Sequence, residues 1–292
     1  MVKFAIFSFP RSGSTFLCSL LGSHPDILCH FEVFHPLEIV TIKDFNDTAI
    51  EMRSFTPQTR DKSPLEFLNS LFKYDMGCKA VGFKIFVGHS TEAHDAILKD
   101  REIKKILLKR NTIDSYTSML IAKETGAFTQ KDMPPGMSRP RVSFDVGGFL
   151  GFDLKIGEYF LHLERVLAET GQEFLDIRYE DMVTDQAVID SIFSFLGIKR
   201  GSEQLSAFTR KQNKSGLQEK VDNLEEAFRE MTRLYLKLTK SSEESAADAD
   251  QLLGLLRSQV LRKDRLLQEI YDSLSWRLTK PLRVIGGKLL GR

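Results

Sequence analysis

Phe4-Ala5-Ile6-Phe7-Ser8-Phe9-Pro10-Arg11-Ser12-Gly13-Ser14-Thr15-Phe16-Leu17 is the stretch whose reading decides the fold. It opens as a short apolar run of strand-forming residues, passes through a turn of small residues, and takes up an apolar pattern at helical spacing from Ser14. A strand that turns into a helix in this way aims several backbone N–H groups and the positive end of the helix at one spot. The hydroxyls of Ser12, Ser14 and Thr15 add further donors. Arg11, Ser12, Gly13, Ser14 and Thr15 are therefore predicted to form an anion cradle at the end of a buried strand. A nucleoside triphosphatase would need GxxxxGK[ST], whose lysine reaches the terminal phosphates. Neither that lysine nor that loop length is present, and Arg11 lies inside the turn instead.

Working outward, residues 79–86, 103–109 and 174–178 repeat the buried-strand pattern of residues 4–9. Between them, residues 14–22, 64–74, 91–99, 112–125, 153–170 and 185–196 read as helices, with Gly22, Gly126, Gly171 and Gly197 at their ends. Strands alternating with helices predict an α/β fold of three layers, a central parallel sheet flanked by helices. From residue 124 to 149 the periodicity fails around a Pro-Pro-Gly and a Gly-Gly, which predicts a long loop, either a binding lid or a disordered connection. Beyond Gly216 the spacing of Leu217, Val221, Leu224, Phe228, Met231, Tyr235 and Leu238 is helical, and it resumes from Leu253 to Leu274 after a polar break. The expected organisation is a domain at 1–223 and a helical C-terminal extension at 224–292. That extension suits a short coiled coil, a partner-docking helix or a helix packed on its own domain. From Arg257 on it carries nine basic residues against three acids, with Trp276 among them, so a peripheral contact with an anionic membrane surface and a homodimer are both open.

The 292 residues, 42% of them apolar, are enough for a substantial core. A net charge of +1 argues against a partner as highly charged as nucleic acid. Cys18, Cys29 and Cys78 stand far apart without metal-ligand spacing and read as reduced core residues, so no metal is expected. Neither a signal peptide nor a long enough apolar span is seen, and the expected compartment is the cytoplasm, with the inner membrane face as a peripheral variant.

A second motif follows a later strand. Lys105-Ile106-Leu107-Leu108-Lys109-Arg110-Asn111-Thr112-Ile113-Asp114-Ser115-Tyr116-Thr117-Ser118 places an arginine at a strand end and a serine eight residues on, a guanidinium fork and a hydroxyl suited to a separate phosphate. Together the pieces resemble the PAPS-dependent sulfotransferases, over roughly residues 1–223. Pro10-Arg11-Ser12-Gly13-Ser14-Thr15-Phe16-Leu17 resembles the loop that grips the 5'-phosphosulfate of 3'-phosphoadenosine 5'-phosphosulfate (PAPS), and Arg110 with Ser118 resembles the 3'-phosphate motif. Tyr179-Glu180-Asp181 and Phe195-Leu196-Gly197 resemble later family segments, which makes Tyr179 a donor-site candidate near the adenine. Lys211, in the basic run Arg210-Lys211-Gln212-Asn213-Lys214, stands where the family often returns a basic segment to the donor. A solvated charge run is the alternative. The resemblance implies a P-loop-like fold, PAPS as cosubstrate, PAP as product and no metal.

Sulfuryl transfer to a hydroxyl needs a base for the acceptor's proton and cations near the transferred group. Glu32, in His30-Phe31-Glu32-Val33-Phe34-His35, matches the glutamate that follows the second strand in bacterial carbohydrate and glycolipid sulfotransferases, of the LPS or Nod-factor type, and in tyrosylprotein sulfotransferases. It is the expected base, with His30 and His35 as alternatives. Lys84 is a charge inside the apolar run Ala80-Val81-Gly82-Phe83-Lys84-Ile85-Phe86, costly unless its ammonium finds an anion or a strand end. It resembles the strand lysine that faces the sulfate in the same bacterial branch. Glu32, Lys84 and Arg11 are thus the catalytic candidates, and a carbohydrate or glycolipid hydroxyl is the expected acceptor. A nucleotide kinase or triphosphatase using the same loop shape, and a non-catalytic scaffold working through its C-terminal helices, are the rival readings.

Overall fold

A computed structural model describes residues 1–42, 55–128, 140–201, 216–231 and 233–234. The chain divides into two compact units, one of Met1–Arg110 with Glu158–Lys211 and one of Asn111–Gly157 with Gln212–Arg292. Lys211 and its basic run, residues 129–139 of the expected loop, and the C-terminal stretch from residue 235 lie outside the described residues.

The first unit holds a parallel five-stranded sheet of β1 (Val2–Ser8), β2 (Ile27–His30), β3 (Ala80–Phe86), β4 (Ile103–Lys109) and β5 (Phe174–Arg178), in the order β2-β3-β1-β4-β5. β1, β2 and β3 are buried along most of their length and are largely apolar, whereas the edge strand β5 is only partly buried and carries Asp176 and Arg178. Phe4 and Ile6 of β1, Ile106 and Leu108 of β4 and Ile177 of β5 join Leu17, Cys18 and Leu21 of α1 (Ser14–Leu21) and residues that follow β5 in one buried cluster. On the opposite face Phe7 meets His94 edge-on and Phe9 meets Phe160. Phe83 of β3 packs there against Phe34 and Phe72. Helices α2 (Pro57–Lys62), α3 (Pro64–Lys73) and α4 (Thr91–Lys99) lie between β2 and β4 in the chain. The expected three-layer α/β arrangement, with a P-loop-like strand-loop-helix at its central strand, is the one the chain adopts.

Two starts differ from expectation. Helix α2 has no apolar periodicity to announce it. It is set by Pro57 at its first turn and by a capping box in which Thr56 accepts from Thr59 N while Thr59 Oγ1 accepts from Thr56 N at 2.8 Å. The broken periodicity predicts a loop through residue 149 and a helix from 153, whereas α6 after α5 (Thr112–Thr125) runs Val146–Glu169. Gly147, Gly148 and Gly151 are poor helix formers, but contacts distant in sequence overrule them. Asp145 accepts from Gly148 N at 3.1 Å, and Val146 and Phe149 are buried with Tyr116 and Phe144. A side chain at Gly148 would meet the Tyr116 hydroxyl at 2.4 Å, so the small residue is what lets that tyrosine approach.

In the chain's remaining elements, α7 (Tyr179–Met182) and α8 (Gln186–Leu196) follow β5, and α9 (Leu217–Lys220) belongs to the second unit. There Val142 pairs with Val221, and Asn223 brackets the backbone of Phe144, accepting from its N–H at 2.7 Å and donating to its carbonyl at 3.1 Å. The helical stretch 224–231 packs Leu224, Ala227, Phe228 and Met231 into the cluster of Tyr116 and Phe149.

Candidate active site

The crossover from β1 to β2 leaves to one side of the sheet and that from β3 to β4 to the other, so the chain parts at the carboxyl end of β1, the usual ligand crevice of an open α/β sheet. The loop from Pro10 to Gly13 lies there. Arg11 is held at φ 70 and Gly13 at φ 88, the left-handed region that only glycine adopts without strain. Glycine at 13 is required twice over, because a Cβ there would lie 2.2 Å from the Tyr179 ring. Helix α1 starts without an acidic residue or a side-chain cap, leaving the N–H groups of its first turn open to an anion. Ser12 Oγ is buried and has no hydrogen-bond partner among the described residues. An anionic oxygen is the acceptor such a site wants.

Arg110, just past β4, is locked against this loop. Its Nη1 donates to the Arg11 carbonyl at 2.7 Å and its guanidinium stacks on the Tyr179 ring at 4.6 Å. Its Nε is buried without a partner among the described residues, a second donor waiting for an acceptor. Lys109 beside it is already committed to Glu164 and Asp176. Ser118, in α5, is buried and belongs to the second unit.

The ends of β2 and β3 bring the other candidates together. Lys84 is 2% exposed, on the face of β3 that looks toward α1. Its ammonium donates to Thr15 Oγ1 at 2.7 Å and lies 2.9 Å from Glu32 Oε1, between the Phe31 and Phe86 rings. The cost of burying a lysine in the strand is thus offset by a carboxylate and a hydroxyl. Glu32 Oε2 faces His89 Nε2 at 3.7 Å. Among the alternatives for the base, His30 is buried within β2, and His35 turns its Nδ1 to Leu37 N and Glu38.

Two further residues shape the site without a sequence signal that singled them out. Arg60 of α2, completely buried, donates through Nη1 to the carbonyls of Val33 at 2.9 Å and Glu38 at 3.0 Å. It thereby clamps the loop that carries Glu32. His89 follows β3, and burial pushes its imidazole down to about 4 even though Glu32 pulls the other way. A cation-bearing helix packed under an acidic loop, and a histidine after a glycine at a strand end, are visible in the sequence only once the loop is known to be the site.

A loop with Arg11 and Gly13 in the left-handed region, set between the central strand and its helix and beside a carboxylate and an ammonium at the neighbouring strands, is an arrangement of an α/β protein that suits an anionic ligand. Residues 2–233 match the family model described as "Sulfotransferase domain", and the chain belongs to that family. It is 26% identical over 201 residues to Nodulation protein H of Rhizobium tropici, covering 66% of this chain and 75% of that protein. Among solved structures it is similar to a sulfotransferase from Alicyclobacillus acidocaldarius, at 18% identity and a TM-score of 0.43, over 73% of this chain and 87% of that one. Mouse sulfotransferase SULT7A1 complexed with PAP aligns over 88% of this chain and 89% of its own, with 16% identity and a TM-score of 0.42. The protein is a sulfotransferase.

Proposed function

We propose that the chain moves the sulfuryl group of PAPS to a hydroxyl of a carbohydrate or glycolipid, with Glu32 as base. The observation that carries this reading is the continuous path Thr15–Lys84–Glu32, which joins the anion loop to a carboxylate through one buried ammonium. The donor fits the residues present. The loop N–H groups, Ser12 Oγ and Thr15 suit the 5'-phosphosulfate, and the unpartnered Arg110 Nε suits a second phosphate. Arg11 adds a cation within the loop. Tyr179 walls the donor side by packing on Gly13 and Arg110. Roles for Ser118 and Lys211 rest on the sequence pattern alone. The carbohydrate or glycolipid class rests on the resemblance of Glu32, Phe34 and Lys84 to that bacterial branch.

In the transfer the acceptor oxygen forms a bond to sulfur, the bond from sulfur to the 5'-phosphate oxygen breaks, and the hydroxyl proton passes to Glu32. The electron pair leaves on PAP. Lys84 lies where charge gathers on the transferred group's oxygens, and its ammonium also keeps Glu32 in position before the transfer.

PAP is expected to raise the melting temperature without magnesium, by an amount set by its concentration over Kd. Stabilisation by magnesium-ATP with no effect of PAP would overturn the donor. With an acceptor found by screening glycans and glycolipids against radiolabelled PAPS, Glu32→Gln should lower kcat by on the order of a hundredfold or more while the PAP shift stays. Near-normal turnover in that variant would move the base elsewhere.

A further inference from the structure

His89 stands five residues beyond Lys84, at the turn after β3, with its side chain 6% exposed. Its Nδ1 faces the backbone N–H of Phe86 at 3.4 Å, and its ring lies against the Phe86 ring with centroids 5.1 Å apart. An amide N–H offers only a hydrogen, so Nδ1 presents its lone pair and the neutral ring carries its hydrogen on Nε2. That Nε2–H points toward Glu32 Oε2 across 3.7 Å. The gap is too long for a direct hydrogen bond but lets a single oxygen atom lie within hydrogen-bond reach of both groups. The other carboxylate oxygen, Oε1, is held by Lys84 at 2.9 Å, which leaves Oε2 as the oxygen free to take a proton.

We propose that His89 is a catalytic residue which forms, with Glu32, a two-point seat for the acceptor hydroxyl: Nε2–H donates to the hydroxyl oxygen while Oε2 accepts the hydroxyl hydrogen. The inference rests on Glu32 being the base. The seat needs a neutral imidazole, since an imidazolium would pair with Oε2 and weaken it as a base. The groups that act on the ring are Glu32, which favours its charge, and His35, Lys84 and Arg60, which together with burial oppose it, and the balance leaves it neutral down to about pH 4. The seat also selects the acceptor's chemistry. A hydroxyl oxygen has two lone pairs, one to accept from Nε2–H and one to attack sulfur. A neutral amine has a single lone pair and cannot do both, so the site is built for O-sulfation rather than N-sulfation.

The test compares His89→Phe, which keeps the aromatic contact with Phe86 and removes the donor, with His89→Gln, whose amide N–H reaches close to the place of Nε2. Both are made in the full chain, with the PAP-induced melting shift as the check on folding and donor binding. His89→Phe is expected to lower kcat/KM for the hydroxyl acceptor about 10- to 100-fold with the PAP shift unchanged, and His89→Gln to recover most of that loss. An active Phe variant, or equal losses in both, overturns the seat. Nitrogen-15 NMR of the unsubstituted protein gives a readout independent of any acceptor: the Nε2–H tautomer should persist to about pH 4. An Nδ1–H tautomer, or titration near the usual value for histidine, overturns it as well. If Glu32→Gln keeps its turnover, the base and the seat both fail, whereas an inactive Glu32→Gln beside an active His89→Phe removes the seat alone.

Discussion

Arg110 fastens the loop after β1 and Tyr179 with two different parts of one side chain. Its Nη1 fastens the Arg11 carbonyl, its flat face rests on Tyr179, and its Nε remains buried and unpartnered among the described residues. Lysine could supply the charge but neither the stacking nor the fork. Arg110→Ala is therefore expected to weaken PAP binding by about 1.5–3 kcal/mol, and Arg110→Lys should recover little of it. Calorimetric titration with PAP checks this, and an unchanged affinity would remove Arg110 from the donor site. At this scale Arg11, Glu32, Lys84 and Arg110 were legible because each breaks a local rule, a charge in a turn of small residues or at the end of an apolar strand. Arg60 and His89 broke none. Arg60 lies in a short polar helix, and its burial follows only from loop carbonyls more than twenty residues away in sequence.

Elements were legible where one period ruled them. The four strands read at 4–9, 79–86, 103–109 and 174–178 appear to within two residues at either end because turn residues bound each run, although β4 and β5 carry charged side chains and β5 is only partly buried. The early start of α6 was not legible, since its first turn is specified by Tyr116 and Phe144 rather than by its own glycine-rich sequence. Gly82 makes the same point inside a strand. A Cβ there would fall 2.5 Å from both the ring and the carbonyl oxygen of Phe4, its register partner on β1. The ring could turn, but the carbonyl belongs to the central strand and cannot. Gly82→Ala should accordingly destabilise the protein by about 1–3 kcal/mol, the usual range for overpacking, and displace Lys84, two residues on. Urea unfolding measures the first effect, and a loss of kcat larger than the loss of folded protein reports the second. An alanine variant as stable as the parent would show that the sheet yields more easily than a packed interior should.

At the scale of the molecule, the described residues contain no helix long and apolar enough to cross a membrane, and the family match ends at residue 233, ten residues beyond the boundary expected at 223. The reason lies in the second unit. Leu217, Val221, Leu224, Phe228 and Met231 are buried there with Ile113, Tyr116, Val142 and Phe149, so the first turns of the expected extension belong to a core. The helical period holds over 217–220 and 224–231, but Val221 between them is extended and pairs with Val142, and a sequence does not say what an apolar stripe packs against. Five large side chains at about 1.5–3 kcal/mol each amount to the whole stability of an ordinary domain, about 5–15 kcal/mol. A chain ending after residue 216 should therefore lose the fold of the second unit, seen as a fall in helical circular dichroism and rapid proteolysis between residues 111 and 157. A chain ending after residue 240 keeps all five and should unfold cooperatively, with the PAP-induced melting shift of the full chain. If the longer truncation loses that shift, donor-binding groups lie beyond residue 240. If the shorter one keeps its helices, the cluster is a covering for a unit that is stable without it.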